Sequence, residues 1–474
     1  MATTSSPTPP SLLSVKTLEH FRVSPPKGSV PDTSIPLTFF DIFWLLNSTV
    51  ERLFFFKFPF STSHFISDHL PIFKSSLSLT LQHFFPLAGH LRTSSSSLDH
   101  YEINYSDGDS VSLILTETQA NFHELSGDQP RSFTNLRPLI PSLTISNIGT
   151  TSPTSTPLMA IQVNIFPNQG ICLAISINHV AGDGTSTMNF IHSWASTCFS
   201  TSTSTSTISA TPPLFIRSMV VDPNNLHALN LKLIRSFTDS PKEYSSNPQS
   251  PDDVFFSTFT LKGVYIEKLK SMIMARYEKD GKAVVPFHCT RFVVACAYIW
   301  TCLIRSRSWP EERKAHLGFS VDARPRLTPT IPAGYFGNCL SFCLAEVKVS
   351  DVVGDDNIDG VLKAIESLGK AIEYWVREVG VPRNVEELPR MFIELVDKRP
   401  LSIAGSPRFR VYDVDFGWGK PVKVEVTTIK ETGAMSIAES GKEKDGLEFG
   451  LAFPKHEIDA FQACFSSGLK FLIP

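Results

Sequence analysis

The clearest pattern of apolar and polar positions lies in the middle of the chain. Residues 171–177 are apolar and rich in β-branched side chains, which predicts a buried strand. Gly182 and Gly184 then indicate a tight turn. Beyond the turn, apolar side chains recur at helical spacing over residues 188–198, and Thr185 is the candidate N-cap of this helix. The pattern therefore predicts a strand, a tight turn and an amphipathic helix.

The same two periodicities predict further elements on both sides of this unit. In the first half, a strongly apolar segment covers residues 35–60, and we predict strands at residues 15–23, 101–105 and 158–166 and a helix at 74–85, stopped by Pro86 and Gly89. In the second half, we predict helices at residues 265–277, 291–304, 358–379 and 454–470, strands at 254–261, 317–321, 340–347 and 422–428, and a hairpin at 435–440 and 447–453. Strands and helices alternate without a glycine-rich nucleotide-binding signature, so the predicted fold class is α/β.

The chain is 474 residues long, which makes two domains the default expectation. Residues 200–207 form a nearly pure Ser/Thr tract that contains few apolar side chains, and this composition is typical of a flexible connection. We therefore predict an N-terminal domain over residues 1–199, a crossover linker over 200–222 and a C-terminal domain over 223–474.

Composition narrows the classes of partner. Hydrophobic residues make up 42% of the chain and the formal net charge is −3, which describes a soluble globular protein and favours neither nucleic acid nor an anionic membrane as partner. No apolar run reaches the length of a membrane span, and the first residues lack the features of a secretory signal. The eight cysteines form no Cys-x-x-Cys pair, so we expect free thiols in a reducing cytosol and no metal site.

His179 is the candidate catalytic residue. It follows the buried strand and precedes the glycine turn, a position that directs a side chain into a cleft, as a general base requires. On this context alone, the alternative is a structural histidine at a strand end. The pattern His-x-x-x-Asp occurs a second time at His64 and Asp68, without a clean strand before it or a glycine turn after it. There we expect surface polar residues that enter a helix.

A second motif, Asp-Phe-Gly-Trp-Gly, occupies residues 415–419 and by itself indicates only a packed turn. Together with Asn-His-Val-Ala-Gly-Asp-Gly at residues 178–184, in this order and at this separation, it resembles the BAHD acyl-CoA transferases of plants. Other stretches that match this family are Leu-Thr-Phe-Phe-Asp at 37–41, Phe-Pro-Leu-Ala-Gly at 85–89, Val-Asp-Ala-Arg at 321–324 and Tyr-Phe-Gly-Asn-Cys at 335–339. The resemblance therefore covers essentially the whole chain.

The resemblance implies a fold and an activity. The fold is two chloramphenicol-acetyltransferase-like α/β domains in a monomer, with a channel between them in which acyl-CoA and acceptor meet at His179. Acyl-CoA is a co-substrate, and neither a metal nor a bound cofactor is implied. Residues 335–339 and 434–439 resemble the subgroup that acts on flavonoid and phenolic glycosides. We therefore expect malonyl transfer from malonyl-CoA to a sugar hydroxyl of a flavonoid or other phenolic glucoside. Hydroxycinnamoyl-CoA-dependent transfer to anthocyanin or related glycosides is the alternative.

Two acidic residues of the motifs have competing roles. Asp183 either orients the imidazole, as in a triad, or pairs with Arg324 and braces the turn, and the resemblance favours the second role. Asp415 is expected to shape the channel wall without touching substrate, and Trp418 is expected to pack.

The remaining candidates are binding residues. A tetrahedral intermediate needs donors for its oxyanion, for which Ser406 is a candidate, and a malonyl carboxylate needs a cation, for which Arg408 is a candidate. CoA phosphates call for cations and N–H donors at one mouth of the channel. Candidates for CoA binding or for the channel lining are Thr38, Lys262, Lys268, Lys282, His288, Thr290, Arg291, Arg324 and Asn338.

Two other classes of protein remain open at this stage. A non-catalytic homologue would bind a phenolic ligand and would be free to lose its base, whereas His179 and its turn are intact. A thioester hydrolase would use water in place of the sugar and would need no acceptor pocket, which accounts less well for 36 phenylalanines.

Overall fold

The computed structural model describes residues 13–46, 49–94, 97–143, 155–203, 212–239, 254–281, 285–354, 357–381 and 400–472, with residues 383, 385–387, 390 and 398. Lys282 and residues 204–211 of the predicted linker lie outside the described residues. None of the described helices is long and apolar enough to cross a membrane.

The described strands follow the alternation that the sequence shows. They are β1 (Lys16–Val23), β2 (Thr33–Pro36), β3 (Thr49–Lys57), β4 (His90–Ser94), β5 (Ser97–Tyr105), β6 (Val111–Glu117), β7 (Arg131–Ser132), β8 (Ser155–Pro157), β9 (Met159–Phe166), β10 (Gly170–Asn178), β11 (Val254–Leu261), β12 (Lys314–Asp322), β13 (Leu340–Lys348), β14 (Leu401–Gly405), β15 (Lys423–Val426), β16 (Met435–Glu439) and β17 (Leu447–Pro454).

The described α-helices lie between these strands. They are α1 (Phe39–Ile42), α2 (Thr62–His64), α3 (Leu70–His83), α4 (Phe122–Leu125), α5 (Phe133–Leu136), α6 (Gly184–Thr203), α7 (Leu226–Asp239), α8 (Gly263–Lys279), α9 (Arg291–Ser306), α10 (Val349–Val353), α11 (Asn357–Ile372), α12 (Ile429–Thr432) and α13 (Lys455–Lys470).

Within the described residues, the strands form two large sheets and one small sheet. The first has the order β1-β6-β9-β10-β3-β15, the second β13-β12-β14-β16-β17-β11-β7, and the third β2-β5-β4-β8. Every residue of β9 and β10 is buried, which explains their nearly continuous apolar sequence, since a strand covered on both faces shows no alternation. The mixed α/β class that the sequence predicts is confirmed.

Several predicted helices differ from the structure at their ends. The helix predicted at 74–85 begins four residues earlier, at Leu70, and ends at His83. The helix predicted at 358–379 is α-helical through Ile372 and continues as a π-helix over Glu373–Glu378. Helix α6 runs through Thr203, so the first residues of the predicted linker are helical. The division into domains at residues 200–222 stays a prediction.

The two halves of the chain exchange strands. Strand β15 comes from the second half but pairs with β3 in the first sheet, whereas β7 comes from the first half and pairs with β11. Ion pairs hold the exchanged strands: the buried Arg131 Nη2 lies 2.6 Å from Glu425 Oε2, and the buried Lys423 lies 3.0 Å from the partly exposed Asp128. Breaking a buried pair leaves an uncompensated charge, so these contacts fix how the two sheets meet.

Candidate active site

The predicted strand–turn–helix unit is present at the centre of the first sheet. Strand β10 pairs with β9 on one side and β3 on the other, and it ends at Asn178. The Asn178 side chain accepts a hydrogen bond from Val180 N at 3.0 Å and so closes the turn. A Cβ on Gly184 would lie 2.4 Å from the Phe409 ring, so the absence of a side chain at Gly184 lets the segment that carries Phe409 pack against the turn.

The N-cap of helix α6 is Asp183 and not Thr185, so the predicted cap is wrong. Asp183 Oδ1 accepts from Ser186 N at 3.0 Å, and its carbonyl oxygen accepts from Thr187 N at 2.9 Å. A carboxylate at this position satisfies free backbone donors and interacts favourably with the helix dipole. The helix consequently starts one residue before Thr185.

Asp183 also forms the expected ion pair with Arg324. Asp183 Oδ2 lies 2.8 Å from Arg324 Nη1, and both side chains are almost completely buried. The same carboxylate oxygen accepts from Cys339 N at 3.1 Å, and Arg324 donates to the carbonyl of Gly337 at 3.0 Å. Because Arg324 is 1% exposed and does not line the cavity described below, the substrate-binding role predicted for it is wrong.

The imidazole of His179 is held by an amide and a buried carboxylate. Its Nδ1 lies 3.1 Å from Asn338 Oδ1. The Asn338 Nδ2 group donates to Asp41 Oδ1 at 3.0 Å and to the His179 carbonyl at 2.9 Å. Asp41 is 0% exposed and also accepts from the backbone and the hydroxyl of Thr38, both at 2.8 Å.

This network determines which imidazole nitrogen is available. A carboxylate and a carbonyl are acceptors only, so they orient the amide of Asn338 with its nitrogen toward them and its oxygen toward His179. The amide oxygen can only accept, so Nδ1 of His179 carries the proton. The neutral imidazole therefore presents a free Nε2 lone pair, which is the form that a general base needs.

Trp44 covers one face of the imidazole. The two ring centroids are 3.5 Å apart and the planes are inclined by 5°. Stacking holds the ring in one orientation and places an electron-rich face against the imidazole, which favours the imidazolium that forms when the base takes a proton.

His179 lies at a cavity of about 2230 Å³ that is lined by residues from both halves of the chain. Of the predicted binding residues, His288, Thr290, Arg291, Ser406 and Arg408 line this cavity. The hydroxyl of Thr290 caps α9, and Ser406 Oγ accepts from Arg408 N at 3.2 Å.

Other predicted residues do not line the cavity. Thr38 and Asn338 are buried in the network behind His179, so the channel-lining role predicted for them is wrong. Lys262 pairs with Glu443, and neither Lys262 nor Lys268 lines the cavity.

The Asp-Phe-Gly-Trp-Gly motif is a closed loop away from the cavity. Asp415 Oδ1 accepts from Gly417 N at 2.8 Å and from Gly419 N at 3.0 Å. These glycines have φ values of +94° and +86°, which side chains disfavour. Trp418 packs against Phe56 and its neighbours, as expected. Because no residue of the motif lines the cavity, the expectation that Asp415 shapes the channel wall is wrong.

Sequence reasoning missed four residues at or behind the cavity: Asp41, Trp44, Arg52 and Lys270. A signal for two of them was available, because Asp41 and Arg52 are charged residues inside the strongly apolar segment 35–60. Asp41 and Arg52 are buried there, and buried charges need partners or a function.

The pH dependence of catalysis follows from the environment of His179. Burial lowers the pKa of His179 below its ordinary value of 6.5, and the nearby charges of Asp183 and Asp41 offset only part of this effect. The base acts when neutral, so we expect kcat/KM to fall toward acid pH with a midpoint below 6.5.

Asn338→Ala should lower the rate at pH 8 by about tenfold, because one hydrogen bond that fixes the tautomer is lost. An unchanged rate at pH 8 in that variant would contradict the tautomer assignment.

Comparisons with known proteins identify the family of the chain. The model of the Transferase family matches residues 13–467. The malonyl-coenzyme A:anthocyanin 3-O-glucoside-6''-O-malonyltransferase of Dahlia pinnata is 33% identical, over 96% of this chain and 98% of that protein. Coumaroyl-CoA:anthocyanidin 3-O-glucoside-6''-O-coumaroyltransferase 1 of Arabidopsis thaliana is 34% identical, over 96% and 97%. Phenolic glucoside malonyltransferase 1 of Arabidopsis thaliana is 33% identical, over 96% and 98%.

Solved structures match the fold. Vinorine synthase superimposes with a TM-score of 0.67 at 19% identity, over 94% of this chain and 96% of that chain. TRI101 of F. sporotrichioides, complexed with coenzyme A and T-2, superimposes with a TM-score of 0.60 at 14% identity, over 91% and 97%. The family match and the relatives that align over nearly the whole chain define an enzyme that transfers acyl groups. The chain belongs to the BAHD family of acyl-CoA-dependent O-acyltransferases.

Proposed function

We propose that this enzyme transfers a malonyl group from malonyl-CoA to a sugar hydroxyl of a flavonoid or other phenolic glucoside. The observation that carries the proposal is the free Nε2 of His179 at a large cavity lined by both halves of the chain. Support for the acceptor comes from relatives named for anthocyanin and phenolic glucosides, which match nearly the whole chain at about one third identity.

In the proposed reaction, Nε2 of His179 removes the proton of the sugar hydroxyl while the hydroxyl oxygen attacks the thioester carbon. The tetrahedral intermediate collapses, the carbon–sulfur bond breaks, and the imidazolium returns its proton to the CoA thiolate. Asp41 and Asn338 keep the imidazole in the required tautomer, and Trp44 stabilises the imidazolium through its ring face. Asp183 and Arg324 brace the turn through their ion pair, in which both side chains are almost completely buried.

The cations at the cavity suit a CoA thioester. Lys270, Arg291 and Lys444 line it together with His288, whose ring can form a hydrogen bond to a phosphate. Arg291 also pairs with Asp445 at 2.9 Å, so an incoming phosphate would compete with this exposed carboxylate. Exposed ion pairs contribute little stabilisation, so replacing the Asp445 carboxylate by a phosphate costs little free energy.

Hydroxycinnamoyl transfer is the second candidate. The coumaroyltransferases of Arabidopsis thaliana match this chain as well as the malonyltransferases do, at 34% and 33% identity. Aromatic side chains that line the cavity, such as Phe40, Phe43 and Phe319, suit either a planar acyl group or a planar aglycone.

A donor competition distinguishes the two candidates. The enzyme would be incubated with a flavonoid 7-O-glucoside and equimolar malonyl-, acetyl- and coumaroyl-CoA, and the products would be identified by mass spectrometry. We expect the malonyl ester to dominate. A dominant coumaroyl ester would overturn the malonyl assignment. Free acid without acylated glucoside would indicate a hydrolase, and no reaction with any donor would oppose the proposed acceptor.

A further inference from the structure

Arg52 is a buried cation in the wall of the cavity. Its side chain, on β3, is 6% exposed and lines the cavity together with His179 and Met188. Its Nη1 lies 2.8 Å from Met188 Sδ, which is a weak acceptor, and its Nε is buried without a hydrogen-bond partner. Among the described residues, Arg52 forms no ion pair with a carboxylate.

A buried cation without a counter-charge is costly, and proteins generally keep one only for a function. Burial lowers the pKa of Arg52 to about 10, so the guanidinium is still protonated at neutral pH. Glu439 is the acidic group whose charge acts on it. Burial raises the pKa of Glu439, and its Oε2 has no hydrogen-bond partner. Glu439 lines the same cavity, but among the described residues no salt bridge joins it to Arg52.

Arg52 differs from three other arginines that line the cavity, because each of those forms an ion pair with a carboxylate. Arg291 pairs with Asp445, Arg377 with Glu373, and Arg410 with Asp413. Arg408, the residue suggested for the malonyl carboxylate by sequence, is exposed to solvent. Hydration of an exposed guanidinium competes with any ligand, whereas a desolvated one gains more from an incoming carboxylate.

Arg52 and His179 line the same cavity, and the contact of Arg52 with Met188 of α6 holds the guanidinium on the side of the helix that follows the His179 turn. Thr49 of β3 lies opposite Asn178, the residue before His179, and Arg52 lies opposite Ile175 on β10 and Val426 on β15. The three residues from Thr49 to Arg52 span about 10 Å along the strand. A malonyl carboxylate is two carbon–carbon bonds from the thioester carbon that must meet the hydroxyl at His179. The carboxylate of a donor bound at His179 would therefore lie in the same cavity as the Arg52 guanidinium.

We propose that Arg52 binds the free carboxylate of the malonyl donor and so makes the site selective for it. The inference rests on the proposed function. A guanidinium presents two parallel N–H groups to a carboxylate, and the bound anion would replace the weak contact with Met188. An acetyl donor has no free carboxylate and gains nothing from Arg52.

The test compares malonyl-CoA with acetyl-CoA in wild type and in Arg52→Met. We expect kcat/KM for malonyl-CoA to fall by about 100-fold, as when one partner of a buried charge pair is removed. The value for acetyl-CoA should change by less than about threefold. An unchanged malonyl-to-acetyl ratio would overturn the proposal, and so would a ratio that falls in Arg408→Met but not in Arg52→Met.

The urea midpoint of Arg52→Met gives a second readout, because a structural role and a binding role of Arg52 predict changes of opposite sign. Removing an unpaired buried charge should leave the urea midpoint unchanged or raise it, whereas a bracing role would lower the midpoint. If Arg52→Met does not fold, Arg52→Lys keeps the charge but loses the two-pronged geometry, and the malonyl-to-acetyl ratio should still fall. A ratio that is unchanged in Arg52→Lys as well would overturn the proposal.

Failure of this inference can be told apart from failure of the proposed function. Wild type that transfers acetyl or coumaroyl groups but rejects malonyl-CoA overturns both. Wild type that transfers malonyl groups, with an unchanged ratio in the Arg52 variants, overturns only the role of Arg52.

Discussion

Replacing His179 by alanine is expected to lower kcat by about 10²–10⁴-fold while the protein stays folded. The imidazole lines the cavity, and its hydrogen bond to Asn338, which Asp41 orients, leaves Nε2 as the nitrogen that accepts a proton. Its side chain is partly exposed at the cavity and is held mainly by one hydrogen bond and the Trp44 stack. Its loss should therefore cost little stability. Steady-state kinetics and circular dichroism of the same preparation measure both effects.

The chain contains its own control for this substitution. His64 and Asp68 repeat the spacing of the motif and form a contact of 2.8 Å on the surface, with side chains 36% and 54% exposed. His64→Ala should therefore leave kcat and the circular dichroism spectrum unchanged. Near-normal turnover in His179→Ala would remove this histidine from the mechanism.

Replacing Arg324 by methionine is expected to lower the free energy of unfolding by about 3–5 kcal/mol and activity with it. The substitution leaves the carboxylate of Asp183 buried, with only backbone donors such as Ser186 N and Cys339 N. Asp183→Asn should cost less, because Arg324 keeps a contact of 3.0 Å with the half-exposed Asp322. Urea unfolding and kinetics of both variants measure the order of the two effects.

The surface carboxylate Asp68 is the matched control for Asp183. Asp68→Asn makes the same replacement at an exposed position and should change the free energy of unfolding by less than about 0.5 kcal/mol. A loss of turnover in Asp183→Asn with an unchanged urea midpoint would contradict the bracing role. It would instead favour direct orientation of the imidazole.

The sequence by itself determined the elements whose signals are local. The buried strand, the glycine turn and the amphipathic helix around His179 are where the apolar periodicity predicts them, and the nearly all-apolar helix at 291–304 is buried as expected. The charged residues Asp41 and Arg52 inside the apolar segment 35–60 are buried at or behind the cavity, a placement that the apolar periodicity alone does not predict.

Only the tertiary structure decided what depends on partners distant in sequence. The exchange of β15 and β7 between sheets joins residues more than a hundred positions apart, and no local pattern encodes such a pairing. The same holds for Asn338, which looked like a cavity residue but holds His179 from behind, and for Asp415, whose loop closes on itself. Local propensity specifies strands and turns, whereas the direction of a polar side chain is set by the donors and acceptors that packing brings next to it.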